Sequence, residues 1–122
     1  MALETYSNTT GTTTNPHNTA LTPGGSSGGE SPLYGSPLGI GPDIKDSGDS
    51  ICFPAADCGL YSLKPSTGRL PLIGCASDLL GCEAIMGTLR PILPTFGGIE
   101  LCIKEIVESK PWAKDSMILP IP

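Results

Sequence analysis

Two adjacent serines sit inside a run of glycines at Pro23-Gly24-Gly25-Ser26-Ser27-Gly28-Gly29-Glu30. A serine hydroxyl performs acyl transfer when a base activates it and donors await the developing oxyanion. Glycines let backbones approach closely and adopt conformations that other residues avoid. The segment Gly24-Gly25-Ser26-Ser27-Gly28 also fits the nucleophile-elbow pattern of esterases, but that pattern needs a preceding strand. A threonine-rich stretch ending in Pro23 stands there instead. The run lacks a Gly-Lys-Ser/Thr end, so it does not read as a phosphate loop. More serines follow at Asp43-Ile44-Lys45-Asp46-Ser47-Gly48-Asp49-Ser50-Ile51-Cys52. The one histidine, His17, lies in a polar Asn15-Pro16-His17-Asn18 turn, and Ser–His–Asp chemistry would rest on it alone.

The elements that must position these residues are short. Residues 1–23 form a polar lead-in that reads as a linker, broken by a turn at Asn15-Pro16. A helix is expected to open at about Ser27, and Pro32 and Gly35 limit it to little more than a turn. Residues 37–44 read as a buried strand with glycines at close backbone approaches. Residues 50–60 read as a short helix, with Ser50 near its N-cap and Pro54 in the first turn. Short strands are expected at 61–63 and 84–89, with loop over 65–83. The clearest helix is 99–108, where Ile99, Cys102, Ile103, Ile106 and Val107 form one apolar stripe. Glu100 and Lys104 stand four apart in the favourable order, while Gly97 and Gly98 weaken its start. The tail from Lys110 reads as extended or turn-like.

Composition narrows the class. The 122 residues allow one domain. Sixteen glycines and 13 prolines indicate many loops, while a 39% hydrophobic content argues against disorder. A net charge of −5 with no basic patch excludes nucleic acid as a partner. The five cysteines, Cys52, Cys58, Cys75, Cys82 and Cys102, form no Cys-x-x-Cys pair. They read as reduced thiols of a cytoplasmic protein rather than a zinc site or disulfide framework. The first residues lack the basic start and apolar run of a signal peptide, and no stretch is apolar enough to span a bilayer.

The serine–glycine run, residues 36–44, the segment Ile51-Cys52-Phe53-Pro54-Ala55-Ala56-Asp57-Cys58-Gly59 and Gly68-Arg69 together resemble the amidase signature family. The likeness is strongest to its fungal acetamidase-type members. It covers almost the whole chain and is looser from residue 84 on, where Lys110-Pro111-Trp112 still matches. The resemblance implies an α/β fold, here part of a mixed-sheet core flanked by helices. The divisions are a lead-in (1–23), a serine and glycine core (24–71) and a strand, helix and Pro-rich tail (72–122). It implies hydrolysis of linear carbon–nitrogen amide bonds through a Ser–Ser–Lys triad and an acyl-serine. The partner is a small amide substrate, and no metal or cofactor is implied.

Residue by residue, the resemblance makes Ser26 the relay serine, which in the family lies on a cis peptide. The family nucleophile stands in an Asp-Ile-Gly-Gly-Ser-Ile-Arg context. Reading back from Ile51 places it at Ser50; reading on from Asp43-Ile44 places it at Ser47. Ser50 is favoured because it directly precedes Ile51 and would sit at a helix start, where the dipole favours negative charge. The backbone at Ile44, Gly48 and Asp49 would then flank the oxyanion. The departures are specific. Lys45-Asp46 or Gly48-Asp49 replaces the two glycines, Cys52 replaces the arginine, and Pro42 replaces a threonine. No lysine precedes Ser26, so the family's base has no counterpart in this sequence. The chain therefore reads as a truncated and partly degenerate copy, without the lysine-bearing portion and the C-terminal half, and inactive alone. The alternative is a serine-cradle binding module or a serine hydrolase of another kind.

Overall fold

The computed structural model describes residues 4–35, 50–72 and 88–121. The lead-in is folded, unlike the linker its composition suggests. β1 (Tyr6–Ser7) and β2 (Gly11–Thr12) form an antiparallel hairpin, with Tyr6 opposite Thr12 and Ser7 opposite Gly11. Gly11 closes the three-residue turn at φ +76°, where a residue bearing a Cβ would be strained. α1 (Glu30–Gly35) opens three residues later than expected, so Pro32 falls in its first turn and does not set its length.

α2 (Cys52–Asp57) accepts Pro54 because that residue lies in the first turn, where backbone N–H groups have no intrahelical partner. The residue preceding the helix is Ile51, not Ser50, and no side chain caps it. The helix stops at Gly59, which takes φ +69°. There Gly59 N–H donates to the Ala56 carbonyl at 3.2 Å and Leu60 N–H to the Ala55 carbonyl at 2.7 Å. This six-to-one, five-to-two pair of bonds is the Schellman closure, and it turns the chain straight into a strand.

β3 (Tyr61–Ser62) pairs antiparallel with β4 (Ile92–Leu93), Tyr61 opposite Leu93 and Ser62 opposite Ile92. The strand expected at 84–89 lies outside the described residues up to 87, and pairing occurs further on, at 92–93. The expected strand at 37–44 also lies outside the described residues. Ile51, Ala55 and Ile92 make a small buried core, with Leu60 packed against it. The turn before α2 is thus fixed on β4.

α3 (Phe96–Glu108) starts three residues before Ile99 despite Gly97 and Gly98. Thr95 explains the early start: its Oγ1 accepts from Gly98 N–H at 3.1 Å. Lys104 pairs with Glu108 at 3.8 Å rather than with Glu100, and both partners are solvent-exposed, so the pair adds little. Ile99 is buried, while Cys102, Ile103, Ile106 and Val107 are half-buried. An apolar groove of about 680 Å³ runs between β3 and α3, with Tyr61, Leu63, Phe96 and Ile103 along it. After Lys110, at φ 49°, a short 3-10 turn (Pro111–Ala113) redirects the tail. The tail then returns to residues 68–70, where Leu119 N–H donates to the Gly68 carbonyl at 2.8 Å.

Thr95→Ala should weaken α3 by about 1 kcal/mol, while Thr95→Ser should be nearly neutral. Urea unfolding followed at 222 nm checks this, and equal losses for both substitutions would show that the hydroxyl is not the cap.

Candidate active site

The glycine run is compressed between two layers. On one side is the lead-in: Thr5 Oγ1 donates to the Gly24 carbonyl at 3.2 Å. A Cβ on Gly25 would come within 2.7 Å of the Glu4 backbone, and one on Gly28 would strike Thr5. On the other side is α2. Gly24, at φ +80°, leaves only 3.0 Å between a Cβ and the Pro54 backbone. Glycine is therefore required at three of these four positions by contact; a Cβ on Gly29 would meet only open space.

A backbone bond joins the run to Ser50. Ser27 N–H donates to the Ser50 carbonyl at 3.1 Å, and the Ser27 carbonyl accepts from Ser31 N–H at 3.0 Å as α1 begins. Ser50 is fully buried and Ser27 nearly so, whereas Ser26 is exposed. The Gly25–Ser26 peptide is cis. The structure thus brings Ser26 and Ser50 into one neighbourhood. The candidate nucleophile Ser47 and the oxyanion positions Ile44, Gly48 and Asp49 lie outside the described residues.

Two side chains fasten the lead-in to the end of α2. Asn15, 4% exposed, donates from Nδ2 to the Asp57 carbonyl at 2.7 Å, while its Oδ1 accepts from His17 N–H at 2.9 Å. His17 Nε2 lies 3.0 Å from the Cys58 carbonyl. A carbonyl can only accept, so Nε2 carries the hydrogen and is not poised as a base. Cys58 is buried against the Pro23 carbonyl, 3.9 Å from its Sγ. Burial, and then the adjacent Asp57 carboxylate, push its thiol from 9.0 up to about 11. Burial also raises the Cys102 thiol. Cys52, Cys58 and Cys102 are all free thiols.

One residue near the site escaped sequence reasoning altogether. Arg90 is 1% exposed, and its Nη1 donates to Cys52 Sγ at 2.9 Å, at the first residue of α2. An arginine in a Pro-flanked loop carries no sequence signal of burial, since arginines are mostly exposed. Asn15 was visible as a turn residue, but its tie to α2 across 42 residues was not.

Gly25→Ala should destabilise the chain by roughly 1–3 kcal/mol through forced displacement of Glu4, and Gly29→Ala should be within error of the parent. Denaturant midpoints of the two variants check the contrast; equal effects would show that the run is not compressed.

The Cys58 thiol gives a pH signature. Its pKa is raised in the folded state, so folding favours the neutral form. That contribution is complete below about pH 9 and is lost as pH rises toward about 11. Stability of the parent should fall across this window, and Cys58→Ala should flatten the fall. Urea midpoints at the two ends of the window measure it, and an unchanged slope in Cys58→Ala would contradict the assignment.

The amidase family model matches residues 1–121. A Schizosaccharomyces pombe relative is 49% identical over 125 residues, covering 100% of this chain and 23% of its own. The acetamidase of Aspergillus oryzae is 40% identical, covering 100% of this chain and 22% of its own. Among solved structures, a fatty acid amide hydrolase superposes with a TM-score of 0.87 at 38% identity, over 100% of this chain and 22% of its own. The chain thus spans about a fifth to a quarter of the length of these relatives. Its short sheets and helices are part of that larger α/β fold, and the chain belongs to the amidase family.

Proposed function

We propose that this chain carries the serine pair of an amide-hydrolysing site. Ser50 is the nucleophile, with Ser47 as the alternative, and Ser26 relays its proton. The base lysine comes from family sequence not among these residues. The observation that carries this reading is the bond from Ser27 N–H to the Ser50 carbonyl at 3.1 Å, which joins the glycine run to the turn before α2. The acetamidase and fatty acid amide hydrolase names of its relatives support an amide substrate.

In this reading Ser50 Oγ attacks the amide carbonyl carbon and forms a C–O bond. Its proton passes through Ser26 toward the base, and backbone N–H groups around Ile44, Gly48 and Asp49 face the oxyanion. The C–N bond then breaks, the amine leaves with a proton, and water hydrolyses the acyl-serine. An aspartate in place of a glycine beside the oxyanion opposes the charge that develops there.

The 122-residue polypeptide by itself should release no ammonia from acetamide above background, because no lysine precedes Ser26 and general-base help is worth ~10²–10⁴ in rate. Ammonia release abolished by Ser50→Ala or Ser26→Ala would overturn that. Fluorophosphonate labelling with peptide mapping identifies the reactive serine. If any serine is labelled, it is expected to be Ser50; a label on Ser47 would shift the assignment by three residues, and one on Ser26 would reverse the roles.

A further inference from the structure

We infer that Arg90 supplies, from a distant part of the chain, the guanidinium that the family pattern places at position 52, and that it is a positioning residue for the turn bearing Ser50. This rests on the reading of Ser50-Ile51-Cys52 as the nucleophile segment. In the family pattern an arginine follows the isoleucine; here that position is Cys52, whose side chain ends one atom beyond Cβ. Arg90 Nη1 donates to Cys52 Sγ at 2.9 Å from 38 residues away in sequence, which brings its guanidinium beside that position.

The surroundings make this placement specific. Thr88, Arg90, Pro91 and Ile92 are all buried, so the loop before β4 runs inside the fold. Ile92 packs on Ile51, the residue between Ser50 and Cys52. The same short segment therefore delivers both an apolar wedge and a cation to the turn. A guanidinium at 1% exposure cannot be exchanged for an ordinary surface arginine, since burying a charge is costly unless neighbours satisfy it. Its consequence is mechanical: the turn that presents the Ser50 carbonyl to Ser27 N–H is held from the β4 side by Arg90 and Ile92.

A relocation test separates this role from generic packing. Four versions of the full 122-residue chain are compared: parent, Arg90→Leu, Cys52→Arg, and the two combined. Hydrogen exchange at the Ser27 amide, the donor to Ser50, is the readout. Arg90→Leu should speed that exchange about tenfold, as for a coupled contact. Cys52→Arg alone, which crowds two guanidiniums together, should do so as well. The combined variant should return to within about threefold of the parent, because the cation is restored at its family position. If Arg90→Leu fails to accumulate as soluble protein, recovery of soluble protein in the combined variant is the equivalent supporting result. Effects that add in the combined variant, or no recovery of solubility, would overturn the inference. Fluorophosphonate labelling of the parent is read alongside. Rescue with the label on Ser47 or Ser26 sinks the nucleophile assignment and leaves the positioning of the turn intact. A labelled Ser50 without rescue does the reverse.

Discussion

The geometry of the candidate site depends on one constraint: the glycine run must pass through a gap too narrow for side chains. Glu4 and Thr5 close the gap on one face, and Pro54 of α2 closes it on the other. Only because the backbone can enter that gap does Ser27 N–H reach the Ser50 carbonyl. The rest of the lead-in serves this compression. Thr13 N–H donates to the Thr5 carbonyl and holds the inner wall, while the Asn15 clamp fixes the outer end of the lead-in to the last turn of α2. A segment with the composition of a linker is therefore ordered by what it must hold, not by its own propensity.

α2 is six residues long and has no side-chain cap, so its intrinsic stability is small. Tertiary contacts fix it instead. Ile51 and Ala55 bury against Ile92, Gly59 closes its far end, and Arg90 reaches its first residue. The placement of Ser50 is accordingly a property of β4 and the loop before it as much as of its own helix. A substitution near residue 90 can thus alter the serine turn without touching it.

Much of this was legible in the residues. The Pro23–Glu30 run announced a close backbone approach, because that many glycines around two serines have little other structural use. α3 was legible from its apolar stripe, and the existence of α2 within 50–60 from an early proline, though its start at Cys52 rather than Ser50 was not. The misreadings share a cause. The β1–β2 hairpin has strands of two residues, too short for alternation to register. β4, also two residues, sits between prolines at 91 and 94. α3 starts early because one threonine hydroxyl satisfies an amide that two glycines would otherwise leave loose. The position of Arg90 follows from long-range pairing of β3 with β4, which no local pattern encodes.

The two ends of the described structure are held in different ways. Around the glycine run the contacts are polar, directional and long in sequence: 42 residues from Asn15 to Asp57, 41 from His17 to Cys58, 38 from Cys52 to Arg90. Such bonds define position to a fraction of an ångström but add little net stability each. Around β3 and α3 the contacts are apolar, as in the edge-to-face approach of Tyr61 and Phe96 at 6.3 Å and the groove beside them. Apolar burial is non-directional and tolerates repacking. Substitutions along the groove should therefore be absorbed as changes in stability, whereas substitutions at the cradle change where the serines are. Reactive groups in general need fixed geometry, whereas the support behind them needs only volume.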